Sequence, residues 1–334
     1  LENFRFTGDV WAIPEGTVVF PNEPLITVRA PIIQAQLLET MLLLTTNHQS
    51  LIATKTSRIV KEAQGRPVME FGARRAHGIN AAVEGARAAI IGGAIGTSCT
   101  LSAKEFNVPA SGTMAHSWVQ SFDSEYEAFK TYAEIYPDDC TLLIDTYNTI
   151  ESGLPNAIKV FNEVLKPKGY KPKAVRLDSG DLAYLSKKVR KILDEAGYTE
   201  CKICATNSLD EYLIKSLIEQ DAKIDSFGVG ENLITAKSEP VFGGVYKLVG
   251  IEKDTKIIPK IKVSENVVKV TNPGFKKVYR FYDNESQKAI ADVIALSDEI
   301  IDEREYMIFD PQNPWKKKLI KDYTIRELQE KIFE

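Results

Sequence analysis

Apolar and polar positions change rhythm twice along the chain. Residues 4 to 30 alternate short apolar runs with turn residues. Arg5-Phe6-Thr7, Thr17-Val18-Val19-Phe20 and Leu25-Ile26-Thr27-Val28 read as strands. Pro14-Glu15-Gly16 and Pro21-Asn22-Glu23-Pro24 separate them. Pro31 then opens a long helix reaching about Glu62, with Ile32, Ala35, Leu38 and Leu42 at helical spacing.

From Arg66 short apolar runs alternate with amphipathic stretches. Strands are predicted at roughly 67–71, 88–92, 107–110, 141–145, 173–177, 201–206 and 223–227. Helices fall between them, at about 78–87, 124–135, 151–165, 181–196 and 208–219. This alternation predicts a parallel sheet. Six or seven such units are too many for half a doubly wound sheet and nearly enough for a closed barrel.

After residue 240 the pattern turns to antiparallel strands, at 245–249, 256–263, 267–270 and 277–281, and a final amphipathic helix at about 324–334. The expected fold is therefore α/β: an irregular TIM-like α/β barrel over 31–239, with a second β-rich α+β domain built from both ends of the chain. Residues 1–30 and 240–334 are predicted to pack together, because neither segment is long enough to hold a core alone.

Composition narrows the classes. The chain has 334 residues, 44% apolar and 26% charged, which suits a globular protein with a large core and excludes collagen-like, disordered and disulfide-stapled classes. Its 42 basic and 46 acidic side chains leave a net charge of −4, so nothing draws the whole chain to nucleic acid or anionic lipid. Any anion site must be local. The Lys-rich stretches after 240 read as solvated strand faces, since no aromatic platform alternates with them.

Cys99, Cys140, Cys201 and Cys204 do not form a secreted disulfide framework. Cys201-Lys-Ile-Cys204 has CxxC spacing but sits in a buried-strand pattern, with no second CxxC for zinc and no helix start to activate a thiol. No stretch approaches the roughly 20 apolar residues of a membrane span. No signal peptide is present, so a cytoplasmic location is expected. The chain opens at Leu1, almost directly in a strand-like segment, and a preceding N-terminal piece of the native protein is expected.

Barrel enzymes place their sites at the carboxyl ends of the strands. Six predicted ends are polar: Phe71-Gly-Ala-Arg-Arg75, Ser111-Gly-Thr-Met-Ala-His-Ser117, Asp145-Thr-Tyr-Asn-Thr149, Arg176-Leu-Asp-Ser-Gly-Asp181, Asn207-Ser-Leu-Asp210 and Gly228-Val-Gly-Glu-Asn232. Each has a plain structural alternative. Asp, Ser or Asn after a strand is the usual N-cap of the next helix, which covers Asp181 and Ser208. A Gly-x-Gly is a turn, and Arg74 or Arg75 alone is a surface charge. Six polar ends on one rim are harder to dismiss. Arginines, hydroxyls and a glycine turn suit phosphate, and carboxylates suit ribose hydroxyls or Mg²⁺. No P-loop and no GxGxxG after a first strand is present.

Those motifs, in that order, resemble nicotinate phosphoribosyltransferase, as do Pro240-Val-Phe-Gly-Gly-Val-Tyr-Lys-Leu-Val249 and the opening Phe6-Thr-Gly-Asp-Val10 with Pro14-Glu-Gly16 and Pro31. The resemblance covers almost the whole chain. The nicotinamide-using sister family matches less closely at Phe71–Arg75 and Arg176–Asp178, and a quinolinate enzyme would carry more basic residues. The resemblance implies transfer of nicotinate to 5-phosphoribosyl-1-pyrophosphate, giving nicotinate mononucleotide and pyrophosphate for NAD salvage. It also implies coupling to ATP hydrolysis through a phosphohistidine, a Mg²⁺ requirement, and a homodimer with shared active sites. Members carry an N-terminal Tyr thought to stack on nicotinate from a neighbouring subunit, which has no counterpart in this sequence, and many carry a longer C-terminal extension.

By that resemblance His116 is the phosphorylated histidine, with Asp145 as its orienting carboxylate and Asp178 at the ribose hydroxyls. Arg74 and Arg176 are expected at the nicotinate carboxylate or the phosphates, with Phe71 stacking on the ring. Asn207, Gly228 and Gly230 are expected to hold the 5′-phosphate through backbone donors at a turn, and Thr113 and Ser179 join the substrate contacts. Mg²⁺ is expected mainly on pyrophosphate, with Asp178 or Asp181 left open as ligands. His48 and His77 read as structural or peripheral. A non-enzymatic phosphoribosyl-binding module would need the arginines and glycines but neither His116 nor Asp178, and both are present.

Overall fold

The computed structural model describes residues 4–263 and 271–334. The chain divides into two compact units, Thr45–Gly243 and a second formed by Leu1–Leu44 with Gly244–Glu334. Among the described residues, no helix is long and apolar enough to cross a membrane.

The Thr45–Gly243 unit is built on six parallel strands. These are β1 (Val68–Glu70), β2 (Gly96–Thr97), β3 (Thr141–Leu143), β4 (Ala174–Leu177), β5 (Lys202–Ala205) and β6 (Ser226–Val229). Their order across the sheet is β2-β1-β6-β5-β4-β3. The first strand thus pairs with the last, Val68 opposite Phe227, which is the connectivity of a barrel. The ladder does not continue from β2 to β3; Ala110 makes a single bridge to Thr97 there. The result is an irregular, TIM-like α/β barrel. Leu142, Leu143, Val175, Leu177, Ile203, Ala205, Phe227 and Val229 are buried, as a parallel sheet covered on both faces requires.

Three helices start at polar side-chain caps. Ser124, Asp181 and Asp210 accept the N–H groups of Glu127, Tyr184 and Leu213 at 3.2, 3.0 and 2.8 Å. The stretch after β3 is less regular: a π-helical turn at Thr149–Gly153, an α-helix at Leu154–Val160 and a second π turn at Phe161–Leu165. Gly153 is required there, since a β-carbon on it would fall 1.8 Å from the Ile144 carbonyl oxygen.

Two barrel expectations change. Residues 88–92 are not a strand; they finish the helix Ile79–Ile91, because the Ala-rich run continues helically until Gly92 and Gly93 stop it. The strand that follows is β2, only two residues long. The stretch 107–110 contributes only the Ala110 bridge, with Asn107 in the left-handed region at the end of helix Thr100–Phe106.

In the other unit, Asp9–Ala12 is the central strand between Ile26–Arg29 and Glu330–Phe333, antiparallel to both. A second three-stranded sheet holds Ala289–Leu296, Lys276–Asp283 and Tyr323–Glu327, with Phe281, Ile320 and Tyr323 buried at its core. Gly250–Lys253 with Lys256–Pro259, and Glu305–Asp310 with Asn313–Lys321, form two-stranded sheets.

The predicted helix at 324–334 is absent: both halves are strands, because each finds a backbone partner distant in sequence. Arg5–Thr7 and 245–249 form no strand. Thr17–Phe20 forms none either: Pro21 cannot donate to a ladder, and Val18 and Phe20 lie exposed. The 256–263 strand shortens to Lys256–Pro259. The strand expected at 267–270 lies outside the described residues. The long helix from residue 31 is two, Ile32–Leu37 and Glu39–Glu62.

Candidate active site

Arg176 is the third residue of β4, and its guanidinium spreads over three partners. Nε donates to the Thr206 hydroxyl at 2.9 Å, and Nη1 to Thr113 Oγ1 at 2.8 Å. Nη2 lies 3.2 Å from Asp178 Oδ1. The guanidinium carbon is also 5.8 Å from the centre of the Phe71 ring, within cation–π range. So the ends of β1, β4 and β5 and the loop carrying Thr113 meet at one arginine.

Asp178 is the next node. Its Oδ1 accepts the Thr206 hydroxyl as well as facing Arg176, and its Oδ2 lies 3.3 Å from His116 Nε2. Burial works against its ionisation. The Thr206 hydroxyl, the Arg176 charge and His116 outweigh that and hold its pKa below the usual Asp value. An ionised carboxylate only accepts hydrogen bonds, so Nε2 carries the proton in the neutral ring. The lone pair is then on Nδ1, which faces the Thr146 hydroxyl at 3.1 Å. His116 opens the short helix His116–Gln120, and its side chain is 40% exposed.

Asp145 stands one layer behind. Its Oδ2 accepts the Asp178 N–H at 3.1 Å and the Ser179 hydroxyl. Its Oδ1 is buried without a hydrogen-bond partner among the described residues. The His116 ring is held by Thr146 and Asp178, while Asp145 fixes the turn that carries Asp178. Asp181 caps helix Leu182–Glu195.

The expected phosphate turn has a different construction. Gly228 lies inside β6, opposite Met69, and not at a turn. Its missing side chain makes room for Phe71: a β-carbon would fall 2.5 Å from the Phe71 ring and 2.7 Å from Thr206 Cγ2. Gly230 stands before the short helix Glu231–Ile234. Asn207 and Ser208, with φ of 87° and 50°, both occupy the left-handed region and are exposed. Asn232 Nδ2 braces them by donating to the carbonyls of Ser208 and Leu209 at 2.9 and 3.1 Å. Sequence reasoning passed over Asn232 as a positioning residue.

Arg74 is exposed in the turn Ala73–Arg75, and Arg75 pairs with Glu231 at 2.7 Å. His77 is exposed; His48 is half-buried, and burial pushes its pKa down. Glu70, also missed, ends β1 with no exposure at all. Its signal was a carboxylate within an apolar strand run, directly before Phe71. Among the described residues no group of three or more His, Cys, Asp or Glu side chains could hold a metal ion. Asp178 is spent on three protein partners and Asp181 on its cap, so the rim does not fit a resident Mg²⁺ cage.

Three comparisons bear on this rim. Residues 67–285 match the sequence profile of the "Nicotinate phosphoribosyltransferase (NAPRTase) family". Residues 1–47 and 275–334 match that family's N-terminal and C-terminal domains. A Bacillus subtilis nicotinate phosphoribosyltransferase is 49% identical over 325 residues, covering 97% of this chain and 66% of the relative. The Mycobacterium tuberculosis nicotinate phosphoribosyltransferase pncB2 is 48% identical over 282 residues, covering 84% of this chain and 58% of the relative. The chain thus spans about three fifths to two thirds of these curated relatives. Among solved structures, the human nicotinic acid phosphoribosyltransferase superposes with a TM-score of 0.82 at 26% identity, covering 98% of this chain and 72% of that one. A nicotinate-nucleotide pyrophosphorylase from Pyrococcus furiosus gives 0.76 at 28%, covering 98% and 75%.

Proposed function

The chain belongs to the nicotinate phosphoribosyltransferase family, and we propose that it joins nicotinate to 5-phosphoribosyl-1-pyrophosphate, releasing nicotinate mononucleotide and pyrophosphate in NAD biosynthesis by salvage. The observation that carries this reading is the linked set Phe71, Arg176, Asp178 and His116 on one barrel rim. An aromatic face and an arginine suit a planar carboxylate-bearing ring. A carboxylate held ionised suits the ribose as its C1 gains oxocarbenium character. Thr113 and Thr206 are neutral partners of Arg176, so an incoming anion can replace them at small cost.

ATP coupling belongs to the same proposal. With Nε2–H directed at Asp178, the Nδ1 lone pair attacks the γ-phosphorus of ATP once the Thr146 hydroxyl turns aside, the N–P bond forming as the bond to the β,γ-bridging oxygen breaks and ADP leaves. Asp178 then stabilises the charge on the phosphorylated ring. Asp145 acts through Asp178 and Ser179. Mg²⁺ enters with the pyrophosphate groups as part of the substrate. Arg74, exposed in its turn, is available to the phosphates, and the Asn207–Ser208 turn and Gly230 to the 5′-phosphate. A cytoplasmic homodimer with shared active sites completes the reading.

The test is a panel of nicotinate, nicotinamide and quinolinate with phosphoribosyl pyrophosphate, with and without ATP. Nicotinate is the expected acceptor, and ATP is expected to stimulate. His116→Ala should keep some ATP-independent synthesis and lose the stimulation, together with an acid-labile, base-stable phosphate on the protein. Full stimulation in that variant would remove the phosphohistidine and leave the transferase standing. Turnover of quinolinate in preference to nicotinate would remove the transferase reading itself.

A further inference from the structure

We propose that Glu70 is the positioning residue for the aromatic half of the site: its buried carboxylate fixes the Phe71–Gly72 turn and so sets where a planar heteroaromatic substrate ring can lie. This rests on the transferase reading above. Glu70 is wholly buried at the end of β1, and both of its oxygens are spent on rim turns. Oε1 accepts the Gly72 N–H, and Oε2 accepts the Thr97 hydroxyl at 2.6 Å. Thr97 Oγ1 in turn accepts the Cys99 N–H at 2.9 Å. The direction of the chain is therefore fixed: Cys99 donates to Thr97, and Thr97 donates to Glu70.

A buried acid is a costly way to fill space. Burial pushes its pKa up, and the Thr97 and Gly72 hydrogen bonds pull the other way. A hydrocarbon of equal size would pack as well, but it could not hold two turns at once. What those turns carry is Phe71. Its own N–H donates to the Val229 carbonyl at 2.8 Å, and the next peptide N–H is the one Glu70 takes. Its ring lies between the Arg176 guanidinium and the space left by Gly228. The turn has no slack, since a β-carbon on Gly72 would fall 2.6 Å from both the Gly230 carbonyl oxygen and Ile234 Cβ. The hydrogen bonds of Glu70 go to the Gly72 N–H and the Thr97 hydroxyl, so its route to the Phe71 ring is the backbone of the turn.

The test compares Glu70→Gln, Thr97→Val and Thr97→Ser with wild type. An amide in place of the carboxylate either sets its NH₂ against the Gly72 N–H or turns it to the Thr97 oxygen, which leaves the Thr97 hydroxyl proton without its acceptor. Glu70→Gln should raise the KM for nicotinate about tenfold, with the KM for phosphoribosyl pyrophosphate within about twofold. Thr97→Val should raise the nicotinate KM by about threefold, and Thr97→Ser should restore it. A fall in kcat with both KM values fixed, or no change at all, would overturn the proposal. If Glu70→Gln does not fold, the two Thr97 variants decide by the same criterion. If wild-type protein transfers no nicotinate, the functional reading fails separately, and hydrogen exchange decides for Glu70. A Gly72 amide protected in wild type and released in Glu70→Gln supports the positioning role; equal exchange in both removes it.

Discussion

Arg176 pairs with Asp178 at the barrel rim, and Arg280 pairs with Asp292 in the β-rich unit. In the second pair the residues sit opposite each other on neighbouring strands. Arg280 grips Asp292 with Nε and Nη2 at 2.7 and 2.6 Å, and Nη2 also donates to the Val18 carbonyl at 2.6 Å. Their side chains are 10% and 7% exposed. Arg176 distributes its nitrogens over two threonine hydroxyls and an aspartate at 3.2 Å, and that aspartate reaches on to a half-exposed histidine. A bidentate, enclosed pair satisfies itself and leaves nothing for a guest. A pair shared with neutral hydroxyls can exchange them for a stronger anion. Geometry around the arginine, more than the identity of the pair, separates a clamp from a receptor.

Four experiments break or sharpen that contrast, the largest effect first. Asp292→Ala leaves Arg280 buried without its counter-charge and should cost about 3–5 kcal/mol in urea unfolding. An unchanged midpoint would mean that the clamp carries no stability. Asp178→Asn preserves shape and removes charge. It should lower kcat about a hundredfold, roughly 2.7 kcal/mol, while thermal unfolding stays close to wild type. If stability falls instead and kcat holds, Asp178 is a second clamp. Arg176→Ala should raise the KM for nicotinate or phosphoribosyl pyrophosphate about tenfold, roughly 1.4 kcal/mol; steady-state kinetics with each substrate varied will read this.

The smallest effect concerns Glu23. Burial first, then the neighbouring Asp292 carboxylate, push its pKa from 4.5 up to about 7, against the Phe20 N–H and Arg280. The folded protein therefore favours the protonated acid. That contribution is complete below 4.5 and is lost as pH rises through about 7. Melting temperatures at about pH 5 and pH 8 should differ more in wild type than in Glu23→Gln. Parallel pH profiles in the two proteins would show that neither burial nor Asp292 shifts the Glu23 carboxyl.

Much of the barrel was legible because its strands are buried on both faces and the helices after Ser124, Asp181 and Asp210 begin at polar caps. The predicted runs at 141–145, 173–177 and 201–206 contain β3, β4 and β5, and 223–227 overlaps the first half of β6. Residues 88–92 misled because alanine and isoleucine suit a buried helix as well as a buried strand. β2 went unseen because Gly96-Thr97 has too few side chains to make a pattern. The end of the chain misled for another reason. Glu330–Phe333 is a strand because Asp9–Ala12 pairs with it, and no local window contains that information.

At the rim, the motifs drew attention to Arg176, Asp178 and His116, and these meet. The supporting residues were less visible. Thr206 and Thr146 are ordinary residues beside conspicuous ones, and Glu70 preceded the motif that was read. Gly228 looked like a phosphate turn because sequence shows a missing side chain but not what fills its place.

Pairing of Asp9–Ala12 with Glu330–Phe333 also fixes a schedule. During synthesis the central strand of that sheet leaves the ribosome before the barrel, and one of its partners leaves after it. Every residue of Thr45–Gly243 emerges between them. The barrel can therefore finish folding while Asp9–Ala12 still lacks this neighbour, and ribosomal pausing inside 45–243 prolongs that wait. Chains arrested before residue 330 carry one open edge on Asp9–Ala12, a ready template for pairing with another chain.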